Sequence, residues 1–382
     1  MRREISSDKS INPEMVTLAR ESRGLTQKEL ADLLSLSPGW LSRVEAGLRS
    51  VQEPYLRKLS DTLFYPVSFF TQKQPICAPT VTEVFHRKRQ SVTEKTLNRI
   101  HAQVNIRTMH LSKMMQGVDI GDVDIRPIEL NDFDGKAKDV ALIVRAAWKL
   151  PHGPVANLIE VIERARGTVV PFDFGVRDID AISRWPIGMA PLFFVNANSP
   201  MDRLRFTLAH ELGHIIMHQN SIDPNMEHQA DQFAAEFLIP EREIRPYLVN
   251  LSLDKLAVLK PYWKVSMAAL LKRAADLNAI TPRHARTLWM NMGKAGYRLR
   301  EPVELGIPRE QPTLLKEIIH VYLADLDYSV QELGELLQLF EEELYQMYIK
   351  PDQLLGDKER KAAVKEFERI VRKANHATGN ED

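Results

Sequence analysis

The stretch richest in reactive side chains is RFTLAHELGHIIMH, residues 205–218, which holds His210, Glu211 and His214 in the order H-E-L-G-H. On a helix, positions i and i+4 share one face, so both imidazoles can reach one ion. Glu211 flanks that face and can hold a metal-bound water. Leu204, Phe206, Leu208, Leu212, Ile215 and Ile216 supply the apolar packing that a buried active-site helix needs. A catalytic zinc takes three protein ligands and keeps one position open for water. Further along, EHQADQFAAEFLIP (227–240) offers Glu227 as third ligand, with Asp231 one turn on. Asp231 is expected to accept the ring N–H of a ligand histidine and so fix its tautomer. Ala230, Ala234 and Ala235 are small enough for two helices to approach closely. Glu236, nine residues after Glu227, returns to a similar helical face and competes for the third-ligand role. The E-x-x-x-D pair favours Glu227, because it supplies ligand and orienter together. His218 and His228 are further candidates as ligands or transition-state donors, although surface or packing roles are the plainer reading.

Such a centre would hydrolyse peptides. Zinc brings the pKa of water toward about 7 and polarises a peptide carbonyl. Glu211 would take the water proton and pass it to the leaving amine. No other nucleophile stands beside a base. Cys77 is the only cysteine, lies in a proline-broken segment and is read as inert. One cysteine also excludes an internal disulfide and cysteine-based zinc fingers.

The elements that must position these groups are mostly helical. Residues 13–70 read as four short helices. Pro13 suits a first helical position, and Gly24 ends that helix. Thr26 and Glu29 form a capping box for the second helix. Ser37-Pro38 opens the third, which Gly47 stops, and a fourth runs from about Glu53 to Leu63. Residues 71–84 form a linker and 85–115 a basic helix, with Arg87, Lys88, Arg89, Lys95, Arg99, Arg107 and Lys113 against Glu94 alone. Helices over about 137–149 and 155–166 precede strand-like runs at 167–174 and 191–196, with a possible strand near 177–183 between them. Helices over 201–218 and 226–238 follow. Residues 241–373 read almost wholly helical, with a disordered tail beyond Lys373. The expectation is a mostly α fold with a small β-sheet, an α+β arrangement. Its parts are an N-terminal all-α domain (13–71), a linker and basic helix (72–135), a central domain carrying the histidines (136–280) and a helical C-terminal region (281–373).

Lys plus Arg and Asp plus Glu both total 51, so the formal net charge is zero and a globally basic nucleic-acid coat is excluded. No apolar run approaches the roughly 20 residues that span a bilayer. The charged start, MRREISSDKS, lacks the apolar core of a signal peptide. The expectation is a cytoplasmic protein without membrane contact.

RFTLAHELGHIIMH followed by EHQADQFAAEFLIP resembles the ImmA/IrrE family of bacterial zinc metallopeptidases. The resemblance covers about residues 140–280, including WKVSMAALLKRA at 263–274. It implies a zincin-like domain in which His210, His214 and Glu227 hold Zn2+ and Glu211 is the catalytic base. It also implies a protein substrate, since members of the family cleave a DNA-binding repressor. LTQKELADLLSLSPGWLSRVEAGLRS (25–50) is similar to the helix-turn-helix of the XRE, or lambda repressor-like, family through T-Q-x-E-L-A, Leu36, S-P, L-S-R-V-E and a glycine. That resemblance implies an operator of double-stranded DNA bound by a homodimer, with the third helix in the major groove. Gln27, at a helix N-terminus, suits a phosphate contact. Pro38, Gly39, Ser42 and Arg43 would face the groove, and Arg43 matches guanine O6 and N7. Trp40 would touch a sugar or a thymine methyl, or pack. Residues 296–306 and 328–348 resemble segments of fused members of the family. The second has helix-turn-helix spacing with Ser329 as N-cap, but its glutamates argue against DNA contact and for a partner surface or scaffold.

The first functional reading is a DNA-binding transcriptional regulator with a zinc-dependent endopeptidase domain that cleaves a repressor or itself. The linker at 71–84, or that of a partner repressor, is the expected cut. The alternative is a transcriptional repressor whose peptidase-like domain is a non-catalytic sensor or partner-binding module, antitoxin-like in action; a scaffold with structural zinc is a third. An intact H-E-x-x-H favours the enzyme, because a purely structural site has no need of Glu211.

Overall fold

The structure is a computed structural model of the 382-residue chain. It describes residues 11–73, 92–219, 224–298 and 300–349. Cys77, Arg87, Lys88, Arg89, most of the linker at 71–84 and the tail beyond Lys373 lie outside the described residues. In chain order the helices before the sheet are α1 (Pro13–Ser22), α2 (Gln27–Leu33), α3 (Pro38–Glu45), α4 (Glu53–Leu63), α5 (Glu94–Gln116), α6 (Ala137–Ala147) and α7 (Leu158–Arg164). Strands β1 (Thr168–Phe172), β2 (Ala181–Arg184) and β3 (Leu192–Asn196) follow. Then come α8 (Met201–Met217), α9 (Met226–Leu238), α10 (Glu241–Ile244), α11 (Leu253–Trp263), α12 (Met267–Asp276), α13 (Pro282–Lys294), α14 (Leu314–His320), α15 (Val330–Leu337) and α16 (Glu341–Leu344). This is the expected α+β class. Among the described residues no helix is long and apolar enough to cross a membrane.

The chain forms two compact units. In the first, helix ends are set by local side chains, as the sequence predicts. Asn12 Oδ1 accepts from Glu14 N (3.1 Å) to start α1, and Gly24 at φ +67° turns the chain out of it. Thr26 and Glu29 close a capping box on α2, and Ser37 Oγ accepts from Trp40 N (3.2 Å) ahead of Pro38 at the start of α3. Met15, Val16, Leu30, Leu41, Val44 and Leu59 make the core between these helices.

Helix α5 departs from its expected place in a linker region between two domains. It belongs to the first unit, with Leu97, Ile100, Val104, Leu111 and Met114 buried, and it packs on α1. Its cations are committed inside that unit. Lys95 Nζ pairs with Glu29 (2.6 Å), Lys113 Nζ donates to Gln72 Oε1 (2.9 Å) and Arg107 is buried. The charge pattern was visible in the sequence, but the apolar stripe between the charges decides where the helix goes. Residues 316–349 join the same unit rather than continuing one C-terminal region from 281. Ser329 caps α15, Glu343 on α16 pairs with Arg23 (2.9 Å) and Tyr348 bonds His110 on α5 (2.9 Å). The acidic segment is thus a scaffold for α1 and α5.

The second unit holds the sheet, in the order β1-β3-β2. Strand β3 pairs parallel with β1 (Thr168↔Leu192) and antiparallel with β2 (Ala181↔Val195). Val169, Val170, Phe193, Phe194 and Val195 are buried, as expected for strands covered on both faces. Helix α8 packs on β2 and β3, and α9 packs on α8 and α6. The unit extends well past α12. Glu301 accepts from Lys260 Nζ (2.6 Å), and Arg309 donates to the carbonyl of Ser199 (3.1 Å). Glu310 pairs with the fully buried Arg205 of α8 and accepts from Leu158 N (2.8 Å) and Ile159 N (3.0 Å) at the start of α7.

Candidate metal centre

The centre is built where α8 crosses α9. Leu204, Leu208, Leu212 and Ile216 bury one side of α8, and the next face carries His210 and His214. The crossing is close at Gly213, where a Cβ would meet the Phe233 ring at 3.1 Å. Glycine at this point of H-E-L-G-H therefore lets α9 lie against the histidine helix. Ala230 and Ala234, both fully buried on α9, serve the same approach.

Three donor groups converge there. His210 Nε2 lies 3.0 Å from His214 Nε2. Glu227 presents one carboxylate oxygen 3.4 Å from His214 Nε2 and the other 3.9 Å from His210 Nε2. With zinc–ligand bonds of about 2.0–2.1 Å, the edge of a ligand tetrahedron is about 3.3 Å. The separations lie near that value, so the three side chains could hold one ion. Glu236 is elsewhere, bonded to Arg273 and accepting from Glu241 N (3.0 Å). His228 is exposed and bonded to Gln232 (3.0 Å).

The groups around the donors set their protonation. His210 Nδ1 bonds Asp231 Oδ1 (3.0 Å), which leaves Nε2 with its lone pair toward the centre. Lys272 Nζ bonds the other Asp231 oxygen (2.9 Å). Burial pushes the Asp231 carboxyl up, but the bonds from His210 and Lys272 outweigh it and hold the pKa at about 2. Burial lowers the pKa of His214 against the opposing pull of Glu227, which favours the neutral, ligating imidazole. Glu211 is fully buried and accepts from Ser183 Oγ (2.5 Å) on β2. A cleft of about 700 Å3 lies beside Asp231, with Phe206, Ala235, Lys272 and Leu277 among its walls, and none of the three donors or Glu211 lines it.

Ser183, Gln229 and Lys272 are the site residues that the sequence reading missed. Each acts across a gap in sequence, and no local spacing marks it. His218, for which the sequence favours a surface or packing role over that of a further ligand, lies behind His214, buried.

The second candidate site is the surface of α3. Pro38, Gly39, Ser42 and Arg43 are exposed along it. Of the two roles open to Trp40, a contact to a sugar or thymine methyl or packing, the residue takes packing. It is 8% exposed, packs against Tyr55 with ring centroids 5.4 Å apart and has the Arg49 guanidinium over its ring. An aromatic ring that can bury its area against a neighbour gains more there than it would in water. Gln27 Nε2 donates to Glu45 (2.7 Å), which also pairs with Arg20, so its amide ties α2 to α3.

Residues 17–70 match the family model described as Helix-turn-helix, and residues 163–275 match the one described as IrrE N-terminal-like domain, of the peptidase family M78. No curated protein matches the chain. The second match contains all three converging donors, Glu211, Ser183 and Asp231, and the first contains all of α2 and α3. The chain is thus a fusion of an XRE-type helix-turn-helix domain with an ImmA/IrrE-like peptidase-family domain.

Proposed function

We propose that the protein is a DNA-binding transcriptional regulator whose central domain is a zinc-dependent endopeptidase acting on a repressor or on a second copy of itself. The observation that carries this reading is a buried carboxylate, Glu211, held by Ser183 next to three converging ligand atoms. His210, His214 and Glu227 would hold the zinc, which when bound would supply Lewis acidity to a water and to the scissile carbonyl. Glu211 accepts the water proton and delivers it to the departing amine. Ser183 keeps that carboxylate in one rotamer, and Asp231 keeps the His210 ring aligned. The cleft beside Asp231 takes the extended substrate chain.

On the other domain, Arg43 reads a base pair while Pro38, Gly39 and Ser42 let α3 lie close to the groove. The N-terminus of α2, at Gln27, contacts a phosphate. A homodimer places two such helices on half-sites about one helical turn apart. The test incubates the zinc-loaded full chain with candidate repressors and with itself, beside Glu211→Gln. Cleavage by the wild type and none by a zinc-retaining Glu211→Gln is the expected result. Normal induction of target genes by that variant in cells, with zinc bound, would retire the enzymatic reading in favour of a sensor.

A further inference from the structure

The two histidines of the centre are held by different chemistry. The ring N–H of His210 is taken by a carboxylate, Asp231. Behind His214 there is instead an imidazole followed by an amide. His214 Nδ1 lies 2.9 Å from His218 Nδ1, and His218 Nε2 lies 2.9 Å from Gln229 Oε1. His214, His218 and Gln229 are all buried, at 3%, 7% and 8% exposure.

The donor arithmetic of this chain has one solution compatible with a metal. An amide carbonyl only accepts, so the proton between Gln229 and His218 belongs to His218 Nε2. A neutral imidazole has one N–H, which leaves His218 Nδ1 with a lone pair and makes it an acceptor. The proton in the next bond must then sit on His214 Nδ1. His214 Nε2, with its lone pair, faces His210 Nε2 at 3.0 Å and Glu227 at 3.4 Å. Turning the Gln229 amide over would reverse every donor and put the proton on the atom that must bind the ion.

We propose that His218 and Gln229 are positioning residues that fix His214 as the Nδ1–H tautomer, and that His218 is not itself a ligand. The spacing H-x-x-x-H-x-x-x-H on α8 places three imidazoles on one face, two for the ion and one to orient its neighbour. The role parallels that of Asp231 on His210. The proposal rests on reading the site as a metal centre, and its tautomer arm stands without metal.

Two readouts test it. The first is the nitrogen chemical shifts of the histidine rings in metal-free, 15N-labelled full-length protein at alkaline pH. His214 should appear as the Nδ1–H form in the wild type and in Gln229→Glu, which keeps an acceptor in place. That signature should be lost or mixed in Gln229→Leu. The second is zinc affinity by competition with a chelator, with circular dichroism to verify folding. Gln229→Leu and His218→Phe should lose about 10- to 100-fold, and Gln229→Glu should recover most of it. An Nε2–H form of His214 in the wild type would overturn the proposal, as would unchanged affinity in both folded variants. X-ray absorption that counts three histidine nitrogens on the zinc would make His218 a ligand and overturn it too. A wild type that binds no zinc while showing the Nδ1–H tautomer would instead sink the metal reading and leave the orienting chain standing.

Discussion

The helix-turn-helix segment and the metal centre sit in one chain but are specified over different distances. In the first, the starts of α1, α2 and α3 are each fixed by a side chain two or three residues away: Asn12, Thr26 with Glu29, and Ser37. In the second, two donors lie four residues apart, but most of the groups around them arrive from other elements. Ser183 comes from β2, Gln229 and Asp231 from α9 and Lys272 from α12. A surface that reads DNA needs only a correctly bounded helix. A hydrolytic centre needs its protons placed, and that takes partners from all round.

The largest effect should come from breaking the centre while sparing the first unit. His210→Ala and Glu227→Ala each leave two ligands, too few for a closed site. Metal analysis should find one zinc per wild-type chain and none in either variant, with binding to an operator duplex unchanged. Full occupancy in both variants would remove the site. Retention in Glu227→Ala with loss in Glu236→Ala would move the third ligand.

Next in size is the distant support. Arg205 is fully buried on the histidine helix, and Glu310 both neutralises it and caps α7. Removing one member of a buried pair leaves an unpaired charge and costs about 3–5 kcal/mol. Glu310→Ala should therefore destabilise the second unit by that amount. Of the five tryptophans, Trp148, Trp185, Trp263 and Trp289 lie in that unit, so their fluorescence reports its unfolding. Urea midpoints indistinguishable from wild type would show that the unit does not depend on residues beyond its family match.

These supports also explain what could be read from the sequence. The bounds of α1 to α4 and of the α8–α9 pair follow from caps, turns and periodicity, as does the presence of three strands, although β2 spans Ala181–Arg184 rather than 177–183. His210 and His214 follow from spacing, because helical geometry converts i and i+4 into proximity, whereas Glu227 is singled out over Glu236 only by Asp231 one turn on. Ser183 has no such marker, since a serine in a short strand looks like any other. Helix α5 failed for the opposite reason. Its cations were conspicuous, yet Arg107 is buried and Lys95 is spent on Glu29. Trp40 was ambiguous until the place of Tyr55 was known.

A smaller effect tests the reading surface. Arg43 is exposed on α3 and no ion pair in the described residues holds it. Arg43→Ala should lose about 1–3 kcal/mol on the selected operator and relax specificity at one base pair. Its folding stability should stay within about 0.5 kcal/mol of wild type, as for other surface changes. Unchanged binding to the selected operator would move base reading off α3.

The smallest effect is a pH dependence confined to the capping box of α2. The Lys95 ammonium, with the backbone N–H and hydroxyl of Thr26, lowers the Glu29 carboxyl from an ordinary 4.5 to about 2. A carboxylate depressed on folding adds stability that is fully present above its unfolded pKa and lost as pH falls through its folded value. Glu29 should therefore contribute fully above about pH 4.5 and lose that contribution by about pH 2. The group is solvent-exposed and its bond to Lys95 spans α2 and α5, so salt should shrink the effect. Following α-helical circular dichroism down this window, Glu29→Gln should flatten the part of the acid limb that belongs to the first unit. The change should be largest at low ionic strength and absent in Lys95→Met combined with Glu29→Gln relative to Glu29→Gln alone. If Lys95→Met by itself leaves the acid limb untouched, the cap alone sets the Glu29 pKa. In that case the end of α2 is specified as locally as its neighbours, without help from α5.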